Sequence, residues 1–141
     1  MGKMKKVIGV AFIEDGKLLI VQSVRSSKNN IWTLIGGGVA AGESEVEAAI
    51  REVGEEIHNG FEIKEEDLIP VMCFKEAAAS DPETTIIMTI FICTKKIDTY
   101  FSPDHEILKY HWYKLGEKEY QLSSAIRDHF VPFAIDEGIL Y

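Results

Sequence analysis

The sequence has little of several features that mark particular protein classes. Among its 141 residues there are two cysteines, Cys73 and Cys93, and they form no CxxC pair. This spacing gives no support for a disulfide framework or a cysteine zinc site. We therefore expect both to be buried thiols in a reducing compartment.

Long hydrophobic runs are also missing. No apolar run approaches the roughly 18 residues that a membrane-spanning helix needs. The apolar residues 7–13 follow a basic start, but Glu14 and Asp15 stand where a signal peptide would have small residues at its cleavage site. We expect a soluble, cytoplasmic protein with no membrane partner.

Basic residues are scarcer than acidic ones. The chain has 15 Lys and Arg against 23 Asp and Glu, giving a net charge of −8. Ten of the acids and two of the bases lie between residues 42 and 67, so this stretch carries the whole imbalance. No basic face is visible, which argues against binding to a nucleic acid duplex. The acidic stretch is either a solvated helix face or a cation site.

The pattern of apolar and turn-forming residues predicts a single domain over residues 1–141, of the α/β class in its α+β form. Its mixed sheet would carry helices on its faces. We expect a hairpin over residues 6–24, with its turn at Asp15 and Gly16, and a short strand over 31–35 that runs into a glycine loop. Further strands are predicted over residues 68–76, 84–94 and 109–115, and a closing helix over 123–138, kinked at Pro132.

One helix is predicted with particular clarity. Ser44 and Glu47 have the spacing of a capping box, and the positions that follow show helical periodicity: Val46, Ala49, Ile50, Val53 and Ile57. The pattern ends near residues 58–60, where Gly60 would stop the helix. Gly54 is the internal exception, so either another element packs closely there or its helix penalty is tolerated.

Three glutamates of this helix, Glu52, Glu55 and Glu56, share one narrow sector beside the apolar stripe. Their only basic neighbour within the helix is Arg51, which can reach Glu55 four residues on. Like charges at this spacing repel, whereas a hard cation such as Mg²⁺ or Mn²⁺ would make the cluster favourable. The spacing alone leaves the solvated face and the metal site as equal alternatives.

A longer pattern surrounds these glutamates. Gly37 is followed after five residues by Glu43, after seven more by residues 51–53 (Arg-Glu-Val), and after one more by Glu55 and Glu56. This spacing resembles the signature of the Nudix hydrolases, and the preceding WTLIGGGVAAGES resembles the MutT-like members. The sequence departs from the signature after the paired glutamates, where His58 and Asn59 replace a Gly and an aliphatic residue.

The resemblance implies an α/β/α sandwich fold. It also implies hydrolysis of an acid anhydride, namely a nucleoside diphosphate linked to another group, with Mg²⁺ or Mn²⁺ as cofactor. It implies metal ligation by Glu55, Glu56 and the Gly37 carbonyl, with Glu52 as a further ligand or the general base. Arg51 would orient the glutamates. Glu43 would tie the loop to the helix, with an ordinary helix N-terminal charge as its alternative.

Residues outside the signature are weaker candidates. The MutT-like pattern suggests Glu106, six residues before Trp112, as an additional metal ligand, with an exposed loop acid as its equal alternative. Arg25 and Lys28 follow the second predicted strand and are candidate phosphate contacts, although exposed loop cations are the more common case. Phe74, Trp112 and Tyr113 could stack on a base, although core packing is the more common use of such residues.

The substrate follows by elimination. Phe74 stands where an ADP-ribose type would have Pro, and Glu76 where a dinucleoside polyphosphate type would have Tyr. What is left is a MutT-like pyrophosphohydrolase that converts a (d)NTP to NMP and pyrophosphate. The alternative is a non-catalytic nucleotide-binding regulatory module with the same fold. The partner is in both cases a small nucleotide, and a homodimer stays open.

Overall fold

The computed structural model describes residues 2–24, 26–57, 61–78, 81–97 and 107–141. The strands within these ranges are β1 Lys3–Ala11, β2 Ile13–Glu14, β3 Lys17–Ser23, β4 Ile31–Trp32, β5 Ile35–Gly38, β6 Leu68–Ala78, β7 Asp81–Cys93, β8 Ile107–Tyr113 and β9 Gln121–Leu122. The α-helices are α1 Glu45–Glu56 and α2 Val131–Asp136, with short 3₁₀ turns at Ser26–Asn29 and Glu65–Asp67.

The largest sheet has the order β5-β1-β7-β6. Strand β1 runs parallel to β7 and antiparallel to β5, while β6 and β7 are antiparallel. A second sheet has the order β2-β3-β8, and the short strands β4 and β9 pair in parallel. The predicted mixed sheet, and the order of strands, helix, strands and helix, are confirmed.

The predicted hairpin turn is present between β2 and β3. Asp15 and Gly16 both have positive φ, 50° and 75°, and Glu14 pairs with Lys17 across them. Two such residues are what a tight two-residue hairpin turn requires. The hairpin is shorter than predicted, however, because β1 separates from it near Phe12 and pairs with β5 and β7 instead.

Helix α1 begins with the predicted capping box. The Ser44 hydroxyl accepts a hydrogen bond from the Glu47 N–H at 3.1 Å, and the Glu47 carboxylate accepts one from the Ser44 N–H at 3.0 Å. The helix ends at Glu56, earlier than predicted, since Ile57 is already extended with φ −113° and ψ 114°. The predicted stop at residues 58–60 lies outside the described residues.

Two hydrophobic cores lie on opposite faces of the sheets. Ile8 and Val10 of β1 pack with Ala48, Ala49 and Val53 of α1 in one core. The other core joins the sheets to the C-terminal helical segment and contains Ala11, Ile90, Ile126, Phe130 and Ala134. Because successive strand residues point to opposite faces, a single layer of strands serves both cores. The result is the predicted α/β/α sandwich.

The C-terminal helical segment is distorted just before Pro132. Residues Ile126–Phe130 form a π-helical turn, in which the Val131 N–H donates to the Ile126 carbonyl five residues back. Pro132 then stands in the first turn of α2. Proline has no N–H and clashes with the preceding turn of a regular helix, and a π turn is one established way to absorb such a defect. The predicted disturbance thus takes the form of a π turn.

The two cysteines differ in environment. Cys93 is buried as predicted, and burial raises the pKa of its thiol. The prediction for Cys73 is wrong, because its position on β6 leaves it exposed. None of the helices in the described ranges has both the length and the apolar character needed to cross a membrane.

Candidate active site

The three glycines that precede α1 form a strand. Residues 36–38 belong to β5 and pair with β1, with Gly37 opposite Ile8. The prediction of a glycine loop here is therefore wrong, because backbone pairing with β1 overrides the low strand propensity of glycine. Because these residues belong to a sheet, strand β5 supports one side of the candidate site.

Glycine at position 37 allows the Glu52 carboxylate to lie directly on the strand. A Cβ added at Gly37 would be 2.5 Å from Glu52 Oε1 and 2.7 Å from Glu52 Cδ. Both distances are far shorter than a normal contact. The glycine is therefore required by the close approach of Glu52, a side chain of α1, to the backbone of β5.

The free edge of β5 faces α1. The Gly36 N–H donates to Glu56 Oε2 at 3.0 Å, and the Gly38 carbonyl accepts a hydrogen bond from Arg51 Nη2 at 3.0 Å. Backbone groups of alternate residues point to opposite edges of a strand. The Gly36 and Gly38 groups therefore point outward, towards the α1 glutamates.

Gly37 has the opposite orientation. The Val39 N–H donates to the Lys6 carbonyl, and by the same alternation the backbone groups of Gly37 point towards Ile8 of β1. The prediction that the Gly37 carbonyl faces the metal site is accordingly corrected. The structure presents the carbonyl edge of Gly36 instead, one residue earlier, which the sequence pattern missed because it does not reveal strand register.

Arg51 lies at the centre of the acidic cluster. Its Nε and Nη2 donate to the two carboxylate oxygens of Glu43 at 2.8 and 2.9 Å. Its Nη1 donates to Glu52 Oε1 at 3.0 Å and lies 3.3 Å from Glu55 Oε1. The hydrogen bond to Glu43, followed by those to Glu52 and Glu55, raises the pKa of Arg51. The permanent positive charge of Arg51 thus offsets much of the repulsion between the clustered glutamates.

Glu43 joins the loop before α1 to the helix. Besides its paired contact with Arg51, its Oε1 accepts a hydrogen bond from the Ala40 N–H at 2.9 Å. The Arg51 hydrogen bond, and then the Ala40 hydrogen bond, lower the pKa of Glu43 to about 2. These contacts fit the tie between loop and helix rather than an isolated helix N-terminal charge.

The three α1 glutamates differ in exposure. Glu56 is 8% exposed as a residue, while the side chains of Glu52 and Glu55 are 14% and 55% exposed. Within the described ranges, no three His, Cys, Asp or Glu side chains already form a metal cluster. The donors are nonetheless all oxygens, and Mg²⁺ commonly takes only one or two carboxylates together with water and phosphate oxygens. The donor chemistry therefore fits a hard divalent cation.

A cavity of about 410 Å³ lies beside the glycine strand. Its walls come from β1, β6 and β7, from the segment around β4 and β5, and from residues 121–127 at the start of the C-terminal helical segment. Apolar side chains such as Val7, Leu34 and Met88 line it, with Gln121 and Ser124 among its polar groups. This size and composition are typical of a small-molecule site.

The cavity brings together residues that no short motif indicated. Gly36 and Gly37 line it, which connects it to the strand that supports Glu52. Glu76 of β6 and Arg127 are further lining residues. These two are 51 residues apart in sequence, and only the packing of the C-terminal segment against the sheet places both at one cavity.

The weaker candidates have mixed outcomes. Arg25 and Glu106 lie outside the described residues. Lys28 is exposed on the 3₁₀ turn and does not line the cavity. Phe74 stacks on His129 with ring centroids 3.8 Å apart, while Trp112 and Tyr113 pack against the two cores.

Comparisons with known proteins agree with this fold. The family model of the NUDIX domain matches residues 3–132. A comparison with curated proteins gave no match.

Three solved structures illustrate the likeness of fold. The MutT protein from Methanosarcina mazei Go1 is 22% identical, with a TM-score of 0.72 and 96% of each chain covered. A MutT/nudix family protein from Enterococcus faecalis is 21% identical, with a TM-score of 0.64; 80% of this chain and 44% of that one are covered. A bifunctional NMN adenylyltransferase/ADP ribose pyrophosphatase from Francisella tularensis, complexed with AMP and Mn ion, is 17% identical, with a TM-score of 0.68 and coverage of 97% and 42%.

The family model spans most of the chain and includes the whole acidic cluster. Nudix hydrolases act on small pyrophosphate-containing substrates and generally use divalent metals. The sandwich fold, the glycine strand and the α1 glutamates are consistent with this assignment. The chain belongs to the Nudix family and is a hydrolase of phosphorus-containing acid anhydrides.

Proposed function

We propose that the protein is a single-domain nucleoside triphosphate pyrophosphohydrolase, which converts a (d)NTP to NMP and pyrophosphate with Mg²⁺ or Mn²⁺. One observation carries the proposal: the apolar cavity and the α1 glutamates meet at the same glycine strand. Gly36 and Gly37 line the cavity, while the Gly36 N–H bonds Glu56 and Glu52 covers Gly37. A substrate with an apolar ring system and a charged phosphate chain matches these two adjoining environments.

The nucleoside would occupy the cavity. Its volume of about 410 Å³ lies within the range of small-molecule pockets. Val7, Ile86 and Met88 offer an apolar surface for the base, and Gln121 and Ser124 offer hydrogen-bonding groups for its polar edge or the sugar. The phosphate chain would then pass β5 to reach the α1 glutamates, of which Glu52 lies directly against Gly37.

The residues that would hold the metal are Glu52, Glu55 and Glu56, with the Gly36 carbonyl as the backbone donor. A divalent cation bound there supplies charge neutralisation at the phosphate oxygens and the departing group. Glu56 has the most restricted position, because it is buried and its Oε2 is fixed by the Gly36 N–H. Glu52 and Glu55 are within reach of Arg51.

Arg51 and Glu43 act by positioning. Arg51 contacts Glu43, Glu52, Glu55 and the Gly38 carbonyl, which fixes the spacing between helix and strand. The guanidinium group of Arg51 is paired with these carboxylates, so Arg51 is poorly placed to contact the substrate. Small displacements of reacting groups can lower rates by orders of magnitude, and a rigid arginine bridge limits such displacements.

The proposal is tested with a panel of nucleoside triphosphates, oxidised nucleotides and ADP-ribose, each with and without Mg²⁺. Phosphate is measured with and without added inorganic pyrophosphatase. We expect orthophosphate to appear from a triphosphate only when pyrophosphatase is present, together with a nucleoside monophosphate. Faster turnover of ADP-ribose than of every triphosphate, or direct orthophosphate release, would contradict it.

A second candidate, the non-catalytic regulatory module, is favoured only by the departure of the sequence from the signature at His58 and Asn59. Family membership identifies a hydrolase, and the glutamates required by the signature are present on α1. The departure at residues 58 and 59 lies outside the described residues. The same panel also addresses this alternative, since a regulator would bind nucleotides without converting any of them.

A further inference from the structure

Lys5 occupies a distinctive place on β1. The side chains of Lys5 and Val7 point to the same face of the sheet, because strand residues two apart share a face. Val7 lines the cavity, and Lys5 pairs across the sheet with Ile86, another lining residue. Lys5 therefore lies next to the cavity, two residues before the lining residue Val7 on β1.

The Lys5 side chain reaches from this face over the glycine strand. A Cβ added at Gly38 would be 3.2 Å from Lys5 Cε and 3.7 Å from Lys5 Nζ. The Gly38 carbonyl is the group that Arg51 holds at 3.0 Å. The ammonium group thus lies over the short stretch of β5 that separates the cavity from the α1 glutamates.

Within the described part of the chain, this ammonium group has no ion pair, whereas the ammonium group of Lys6, on the opposite face of β1, lies 3.7 Å from Glu45. Arg51, by contrast, donates hydrogen bonds to the carboxylates of Glu43, Glu52 and Glu55. The Lys5 ammonium group, which has no ion pair among the described residues, lies beside the proposed route of the phosphate chain. It is therefore available to bind an anion.

We propose that Lys5 binds the phosphate chain of the substrate where that chain passes from the cavity to the α1 glutamates. This inference rests on the proposed function, because it assumes that the nucleoside occupies the cavity. A lysine provides a mobile point charge with three donors, which suits a phosphate group. Gly38 leaves the space in which the Lys5 side chain lies, so a side chain at position 38 would displace it.

Lys3 provides a matched control. It lies on the same strand and face as Lys5, two residues further from the cavity, and it pairs with Thr84 rather than with a lining residue. Both side chains are exposed. A general effect of positive charge on a negatively charged substrate would be shared by Lys3 and Lys5, whereas a direct contact would be confined to Lys5.

Steady-state kinetics on the best triphosphate separate these cases. For Lys5→Met we expect KM to rise about tenfold with kcat within about twofold, because losing one charged contact removes binding energy of roughly this size. Lys5→Arg should recover most of the loss, and Lys3→Met should resemble wild type. Equal KM values for Lys5→Met and Lys3→Met would overturn the proposal.

A binding measurement keeps the proposal testable apart from turnover. Calorimetry with methylenediphosphonate and Mg²⁺ uses a diphosphate that cannot be hydrolysed and carries no base. We expect wild type and Lys3→Met to bind it alike and Lys5→Met to bind it about tenfold more weakly. No difference between the variants, or no binding by wild type, would overturn the role of Lys5.

The two experiments also separate the proposals. If wild type converts no triphosphate but Lys5→Met still weakens diphosphonate binding, the proposed function fails and the Lys5 contact stands. If wild type converts triphosphates and Lys5→Met changes neither KM nor diphosphonate binding, the proposed function stands and the Lys5 contact fails. Thermal unfolding of each variant checks that the exposed substitutions leave the fold intact.

Discussion

The contact between Gly37 and Glu52 makes a sharp test of how the site is built. Substituting Gly37→Ala would place a methyl group 2.5 Å from Glu52 Oε1 and 2.7 Å from Glu52 Cδ. The nearest atoms all belong to the end of the Glu52 side chain, which can rotate away. We therefore expect the Glu52 carboxylate to move while the backbone of β5 stays in place.

The size of the movement follows from the distances. Ordinary contact with a Cβ begins at about 3.4 Å, so Oε1 must move by about 0.9 Å from its position at 2.5 Å. A misplacement of about 1 Å in an active site can lower the rate about 100-fold. We accordingly expect Gly37→Ala to lower kcat about 100-fold.

Two other glycines provide controls. At Gly36 an added Cβ would be 2.1 Å from the Ile8 carbonyl oxygen, a backbone atom, so Gly36→Ala should lower the melting temperature strongly. At Gly54 no described atom lies within 4 Å, so Gly54→Ala should leave turnover unchanged. Kinetics and thermal unfolding of all three variants, measured side by side, distinguish damage to the site from damage to the fold.

A kcat for Gly37→Ala within about threefold of wild type would contradict this prediction. That result would mean that the position of Glu52 over the glycine strand does not matter for the reaction. A loss of melting temperature as large as that of Gly36→Ala would also count against it. The methyl group would then be displacing backbone rather than the Glu52 carboxylate.

Two further predictions concern stability. Gly54→Ala should raise the free energy of unfolding by about 1 kcal/mol, because Gly54 is exposed within α1 and alanine favours the helix by that amount; urea unfolding measures it, and no gain would mean that Gly54 is needed for another reason. For Glu43, a pKa of about 2 against an ordinary 4.5 means that its ionised form stabilises the fold above about pH 4.5, and that this contribution is lost as the pH falls towards 2. The melting temperature of Glu43→Gln should therefore lie below that of wild type at pH 7 and approach it towards pH 2, and a constant difference would contradict this.

Local features of the sequence were predicted well. The capping box of Ser44 and Glu47 and the turn at Asp15 and Gly16 were both confirmed, because neighbouring residues determine them. The buried face of α1 also follows directly from periodicity, since Ala49 and Val53 lie in the core. The same periodicity places Glu52, Glu55 and Glu56 on this helix, where the structure has them.

Features that depend on distant segments were not predicted. Gly36–Gly38 resembles a loop in sequence, but it is a strand because β1 supplies its hydrogen-bonding partner. The choice of Gly37 as the carbonyl donor failed for the same reason, since strand register determines which backbone groups face α1. The cavity likewise combines β1, β6 and residues 121–127, and no short motif links segments so far apart in the chain.

In the proposed function, the carboxylates of α1 bind the cation on which hydrolysis depends. Glu56→Gln removes one of these charges and leaves the site otherwise intact, because glutamine keeps an oxygen that can accept the Gly36 N–H hydrogen bond. Glu45→Gln, a change on the same helix at a glutamate paired only loosely with Lys6, is the control. At saturating Mg²⁺ we predict that Glu56→Gln lowers kcat at least about 100-fold with an unchanged melting temperature, and that Glu45→Gln does not. Turnover by Glu56→Gln equal to that of Glu45→Gln would contradict the account.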